Sequence, residues 1–181
     1  MGKKKGMTEM LQLHIRNLGP DDAAAFRQLR LRALQEYPQA FGSSFEEEQH
    51  TTLEADTAVF ASRVAPNNFV AGAFLEDGTL VGTIGFVRQQ RNKLKHKGMI
   101  WGMYVAPELH GTGAGSKLMQ HVIDELKQEP EITQIQLAVV TTNEPAKRLY
   151  ERFGFVTYGL EKAALIVDGT VYDEHWMALY L

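Results

Sequence analysis

The stretch Met99–Met119, MIWGMYVAPELHGTGAGSKLM, constrains the fold more than any other part of the chain. Met99–Val105 is short and apolar and reads as a strand. Ala106-Pro107 bends the chain, and Gly111-Thr112-Gly113-Ala114-Gly115 follows. Leu118, Met119, Val122, Ile123 and Leu126 then recur at helical spacing. A strand feeding a glycine loop that opens a helix brings free backbone N–H groups and the positive end of a helix dipole to one point. An anionic, phosphorylated ligand is the expected occupant. A tight structural turn is the plain alternative.

The elements around this stretch follow from periodicity and punctuation. Leu11, Leu13 and Ile15 alternate with polar residues and predict a first strand. Gly19-Pro20 ends it, Asp21 and Asp22 open a helix, and Pro38 stops that helix near Tyr37. A loop through Ala40–Glu48 leads to a second helical stretch placed between Glu46 and Val64. Phe69–Leu75 and Leu80–Val87 flank an Asp77-Gly78 turn and predict a hairpin. Arg88–Gly98 is polar and reads as a loop. Ile132–Val140 alternates as a strand. Asn143 caps a helix with Pro145 in its first turn, and Ala146, Leu149, Tyr150 and Phe153 line one face. Phe155–Leu181 reads as two strands about Asp168-Gly169. The order β-α-α-β-β-β-α-β-α-β-β predicts a mixed sheet with helices on both faces.

Bulk properties remove several function classes. The 181 residues suffice for one domain with a sizeable core. The net charge of −3 gives no electrostatic case for nucleic-acid binding. There is no cysteine, hence no disulfide, thiolate metal site or cysteine nucleophile. No metal site is expected. No apolar run approaches the ~20 residues of a membrane span. Residues 1–9 hold Lys3-Lys4-Lys5 without an apolar segment behind them, and are expected to be a disordered tail or an expression remnant, with Met7 a second possible start.

Two familiar phosphate loops do not fit. A Walker A loop ends Gly-Lys-Ser/Thr, whereas here Ser116 precedes Lys117. A dinucleotide fingerprint needs a third glycine where Ser116 stands. Residues 103–118, MYVAPELHGTGAGSKL, instead resemble the pyrophosphate loop of the GCN5-related N-acetyltransferase superfamily. In that family the strand is followed by Arg or Gln, two residues, Gly, one residue, Gly or Ala, and a helix. A second motif, Asn143–Phe155 (NEPAKRLYERFGF), is similar to the family's N-x-x-A-x-x-x-Y-x-x-x-G-F. The two occur in the family's order on elements predicted independently. One departure is His110, where the family usually has Arg or Gln; a neutral imidazole brings less charge to the phosphates.

The resemblance implies an α+β fold, an α/β/α sandwich whose seven-stranded, mostly antiparallel sheet contains a central splayed parallel pair, spanning 10–181 as one domain. It implies acetyl-CoA as acyl donor and direct attack by a primary amine, in a small molecule or a protein, in a ternary complex. A non-catalytic acyl-CoA sensor, or a longer acyl donor, are the alternatives. The implied cofactor contacts are Met103, Tyr104 and Val105 on the strand, His110, Gly111, Thr112, Gly113, Ala114, Gly115 and Ser116 in the loop, and Asn143 and Lys147 beyond. Tyr150 is the implied general acid for the departing thiolate. Met99–Val105 lacks any Asp, Glu or His, so the base that frees the amine stays open among Glu46, Glu47, His96, Glu174, His175 and water. Partners other than the amine are not expected, save a possible second copy in a homodimer, and the setting expected is cytoplasmic.

Overall fold

A computed structural model of the chain describes residues 12–63 and 68–181. The expected tail over 1–9 lies outside the described residues. Seven strands form one sheet: β1 (His14–Asn17), β2 (Asn68–Phe74), β3 (Leu80–Arg88), β4 (Lys97–Val105), β5 (Gln134–Val140), β6 (Val156–Val167) and β7 (Thr170–Tyr180). Their order across the sheet is β1-β2-β3-β4-β5-β7-β6. Only β4 and β5 run parallel, joined by a crossover through a helix; every other neighbour is antiparallel. The helices are α1 (Ala23–Glu36), α2 (Phe45–Glu48), α3 (Leu53–Arg63), α4 (Ala114–Lys127) and α5 (Glu144–Arg152). This is the mixed, mostly antiparallel sheet expected.

Strand alternation fixes which residues face which helices. A Cβ on Gly82 would come within 3.1 Å of Leu118 in α4, so Gly82, Ile84 and Phe86 face α4. Registers carry this face across the sheet, from Arg88↔Gly98 to Gly98↔Ile135, then to Leu137↔Met177 and Val139↔His175. A Cβ on Gly115 of α4 would meet Leu149 of α5 at 3.3 Å, so α5 lies on the same side. The opposite face carries Tyr104, whose hydroxyl donates to Glu36 of α1. Ala138, Val140, Trp176 and Glu174 alternate onto this α1 side. Helix α4 seals the first face with Leu118, Met119, Val122, Ile123 and Leu126, each at most 4% exposed. At roughly 1.5–3 kcal/mol per buried large aliphatic side chain, that stripe is a major source of stability.

Three expectations shift. The first strand begins at His14, later than the alternation from Leu11 suggested, because pairing with β2 runs from His14↔Phe74 to Asn17↔Ala71; Leu11 is outside the described residues. The helix expected over 46–64 is two. The Ser44 hydroxyl accepts from the Glu47 amide while Glu47 accepts from the Ser44 amide, which closes α2 as a single capped turn. Thr52 then caps anew, accepting from Ala55; Val64 is outside the described residues. Finally, the loop over 88–98 surrenders both ends to the sheet, where Arg88 pairs with Gly98. Arg88 tolerates burial there because its Nε donates to the Lys95 carbonyl at 2.6 Å and its Nη2 to Glu131 at 2.7 Å.

Candidate active site

The parallel ladder between β4 and β5 is short. It joins Lys97–Met99 to Gln134–Gln136 and stops. Two residues beyond, β4 carries an extra residue: Gly85 pairs with Trp101 and Thr83 with Tyr104, leaving Gly102 and Met103 opposite Ile84. Gly102 has φ +58°, a conformation that a side chain would strain, and its carbonyl accepts from Thr83 Oγ1 at 3.3 Å. A bulge bends its strand and increases local twist. Here it accompanies the divergence of β4 from β5, so the facing backbone edges of both strands are left without ladder partners.

A cavity of about 690 Å³ occupies this gap. It passes through the sheet. Tyr37, Phe41, Trp101 and Tyr104 line it on the α1 side, and Met103, Val105, Leu149 and Tyr150 on the α4 side. Of the residues singled out from sequence, Met103, Tyr104, Val105, His110, Gly111, Gly113, Ala114, Gly115, Ser116, Asn143 and Tyr150 line this one cavity. Thr112 and Lys147 do not. Thr112 Oγ1 donates to the Leu109 carbonyl at 2.7 Å, and Lys147 pairs with Glu151 at 2.9 Å.

The loop before α4 has the geometry of an anion cradle. Gly111 and Gly113 sit at φ +78° and +86°, with open space where a Cβ would stand. The first amide of α4 to find a backbone acceptor is that of Lys117, which donates to Gly113. The amides of Ala114, Gly115 and Ser116 precede it and have no intrahelical acceptor, so they and the dipole attract negative charge. His110 lies at the other edge, its Nε2 2.9 Å from the Val105 carbonyl. That contact engages the imidazole with the backbone of β4.

Tyr150 is held by α5. Asn143 caps this helix, its Oδ1 accepting from the Ala146 amide at 3.3 Å. The Tyr150 ring packs 6.1 Å from Phe155, and the hydroxyl has no hydrogen-bond partner among the described residues. Burial pushes the phenol up to about 12, which keeps it protonated at neutral pH.

The candidate bases separate cleanly. His96 precedes β4 at the closed end of the β4–β5 pair, where its carbonyl accepts from Thr133. Glu47 is engaged in its cap. His175 alternates onto the α4 side, with Nδ1 buried and unpartnered. Glu174 lies on the α1 side, paired with Val140, a cavity residue, and with Glu161 across β6. Burial, aided by the Glu161 charge, raises the Glu174 carboxyl above the ordinary range. Glu161 itself accepts from Trp176 Nε1 at 2.8 Å.

Arg30 was not singled out from sequence. It falls on α1 at helical spacing with Phe26, Leu29, Ala33 and Leu34. Its Nε and Nη2 donate to Glu48, and its guanidinium lies 4.8 Å from the centre of the Phe41 ring. Its Nη1 stands 3.9 Å from where a Gly102 Cβ would be, directly over the bulge.

Comparison with known proteins agrees with this geometry. Residues 30–155 match the model of the Acetyltransferase (GNAT) family. The chain is 29% identical over 102 residues to an L-amino acid N-acetyltransferase of Escherichia coli, matching 56% of this chain and spanning 62% of that protein's length. Among solved structures, a GNAT-family acetyltransferase from Streptococcus pneumoniae superposes with a TM-score of 0.83 at 24% identity, covering 94% of this chain and all of that one. A Salmonella typhimurium protein solved with acetyl-CoA as its cofactor superposes at 0.81 with 20% identity, covering 94% of each chain. At these identities the superpositions show a shared fold. The family match, which takes in the glycine loop, the splayed strands and Tyr150, assigns the chain to the GCN5-related N-acetyltransferase (GNAT) family.

Proposed function

We propose that the chain, over 10–181, is an acetyl-CoA-dependent N-acetyltransferase that transfers an acetyl group directly to a primary amine. The observation that carries this reading is the through-sheet cavity. It joins an anion cradle and a buried tyrosine on one side to an open α1-side mouth on the other. In this reading the amides of Gly111 and Gly113–Ser116 hold the cofactor pyrophosphate, and the unpaired edge of β4 at Met103–Val105 pairs with the pantetheine amides as an added strand. Bound acetyl-CoA supplies an activated acyl group.

Tyr150 then holds a proton at its phenolic oxygen for the departing sulfur. With the phenol at about 12 and a free thiol near ~8.5, the transfer alone would run roughly 5 kcal/mol uphill. The same dry surroundings raise the basicity of the thiolate, which narrows the gap. On the opposite side Glu174 takes the amine's proton. Its raised carboxyl lies closer to an ammonium in proton affinity than an ordinary glutamate does. A backbone N–H of the splayed β4 stabilises the developing oxyanion. His110, bonded to Val105, acts by holding the end of β4 more than by supplying charge.

The homodimer belongs to the same proposal. β6 is an edge strand exposing Val156, Tyr158 and Leu160, and its pairing with a second copy would cover them. So does the cytoplasmic setting; among the described residues no helix is long and apolar enough to cross a membrane. The test is release of free coenzyme A from acetyl-CoA across a panel of primary amines. Amine-dependent release supports the reading. Tight acetyl-CoA binding with no release on any amine would replace it with a sensor.

A further inference from the structure

The segment that carries the anion cradle is tied to the rest of the chain at few places. β4 leaves its ladder with β5 after Met99, and its last pairs with β3 are Thr83↔Tyr104 and Gly82↔Val105. Ala106 adds one backbone bond, donating to the Val81 carbonyl. Beyond it Leu109 buries its side chain in the core. Among the described residues, the hydrogen bonds of 107–113 join partners within 105–117, with one exception. Glu108, on the single turn Pro107–Leu109 ahead of His110 and Gly111, receives both arms of the Arg32 guanidinium from α1. Nη1 donates at 2.8 Å and Nη2 at 2.7 Å.

The guanidinium is itself held in place. Its Nε donates to Glu36, one turn along α1, at 2.8 Å, and the second oxygen of Glu36 accepts from the Tyr104 hydroxyl. Arg32 and Glu36 thereby join a wall of the cavity at Tyr104 to the turn that leads into the glycine loop. The Arg32 contact pulls the Glu108 carboxyl down to about 2, so the pair stays charged across the physiological range. A lone exposed ion pair holds little; bidentate geometry and a charge network are the two conditions that change this, and both are met. Arg16 makes the same bidentate contact with Asp22, at 2.7 and 2.8 Å, but on β1, three strands away from β4.

We propose that Arg32, acting through Glu108, positions the glycine loop for the diphosphate of the cofactor. Its two Nη–H groups fix the turn before His110, and that turn sets where the amides of Gly111 and Gly113–Ser116 point. The same contact offsets a carboxylate three residues ahead of an anion site, which would otherwise repel the phosphates. This rests on acetyl-CoA occupying the cradle and adds to it a positioning residue that lies outside the cavity.

The experiment measures dissociation constants for acetyl-CoA and for S-acetylpantetheine, which ends before the diphosphate, by titration of wild type and variants. In Arg32→Gln the constant for acetyl-CoA is expected to rise about tenfold, as for the loss of charge-assisted hydrogen bonds, while that for S-acetylpantetheine stays within about twofold. Arg32→Lys keeps the charge without the planar donors and is expected to fall between wild type and Arg32→Gln. Glu108→Gln loses the tether and also the repelling charge, so its rise for acetyl-CoA is expected to be smaller, about threefold. Arg16→Gln removes an equivalent contact elsewhere and is expected to change neither ligand. A merely structural role for Arg32 would weaken both ligands together. That result overturns the inference, as does an unchanged acetyl-CoA constant in Arg32→Gln. Should that variant not fold, Glu108→Gln, at a half-exposed side chain, decides by the same ratio. Failure of wild-type protein to bind acetyl-CoA overturns the cofactor reading as well.

Discussion

Replacing Tyr150 with Phe removes one oxygen and nothing else the fold depends on. The ring keeps its contact with Phe155, and the hydroxyl has no hydrogen-bond partner among the described residues to lose. The stability change is therefore expected below about 1 kcal/mol, or a midpoint shift of less than ~4 °C for a chain of this size. Turnover should respond very differently. Without the phenol, the thiolate must take its proton from water, whose pKa near ~15.7 lies about 3.7 units above the phenol at about 12. With proton transfer roughly half complete in the transition state, that difference costs about 10²-fold in kcat, within the 10²–10⁴ range typical of general acids. Affinity for acetyl-CoA should stay within about twofold, since the loop amides and the β4 edge are untouched. The chain has no cysteine, so a thiol reagent reads released coenzyme A with no background from the protein. A kcat within twofold of wild type would refute the assignment of Tyr150 as acid.

Glu174→Gln is expected to lower turnover and abolish the acidic limb of the pH–rate profile. The folded carboxyl sits above its unfolded value, so its ionised form weakens the fold above that pKa and the penalty vanishes as pH falls. The variant should therefore melt higher than wild type at pH 7, and an unchanged or lower melting temperature would contradict the raised carboxyl. In Gly98→Ala the new Cβ would lie 2.2 Å from Phe86 Cζ and 2.6 Å from the Val87 carbonyl. The backbone cannot step aside, and chemical denaturation should show a loss of about 1–3 kcal/mol. Asn143→Ala removes the cap of α5 and should cost about 1 kcal/mol, with Tyr150 turnover falling in parallel as its helix frays.

The most legible parts of the sequence were those whose local chemistry leaves one option. Gly113 followed by an apolar stripe at Leu118, Val122 and Leu126 marks both the loop and its helix. Asn143 with Pro145 marks the start of α5, and Asp77-Gly78 marks a hairpin. The motif pair then selected the family, and the family match agrees. What stayed hidden depends on tertiary register. Nothing local shows that the β4–β5 ladder stops at Met99, because the run through Val105 is evenly apolar. The bulge at Gly102 is written only as a glycine in a strand, a signal that Gly85 also carries at a regularly paired position of β3. The split between α2 and α3 came from caps at Ser44 and Thr52 inside a stretch with weak periodicity. Arg88 looked like the start of a basic loop because its partners, Lys95 and Glu131, lie 7 and 43 residues away. Glu174 was one of several candidate bases in the sequence, and what separates it from them, its place beside Val140 and Glu161, is set by residues on other strands.

The most direct test is a crystal structure of the protein with acetyl-CoA, read at two places. The proposed function predicts the pyrophosphate against the amides of Gly111 and Gly113–Ser116, and the thioester sulfur within about 3–4 Å of the Tyr150 hydroxyl, with the acetyl group open to the α1-side mouth. A cofactor bound away from the β4–β5 gap, or a sulfur out of reach of Tyr150, would contradict it.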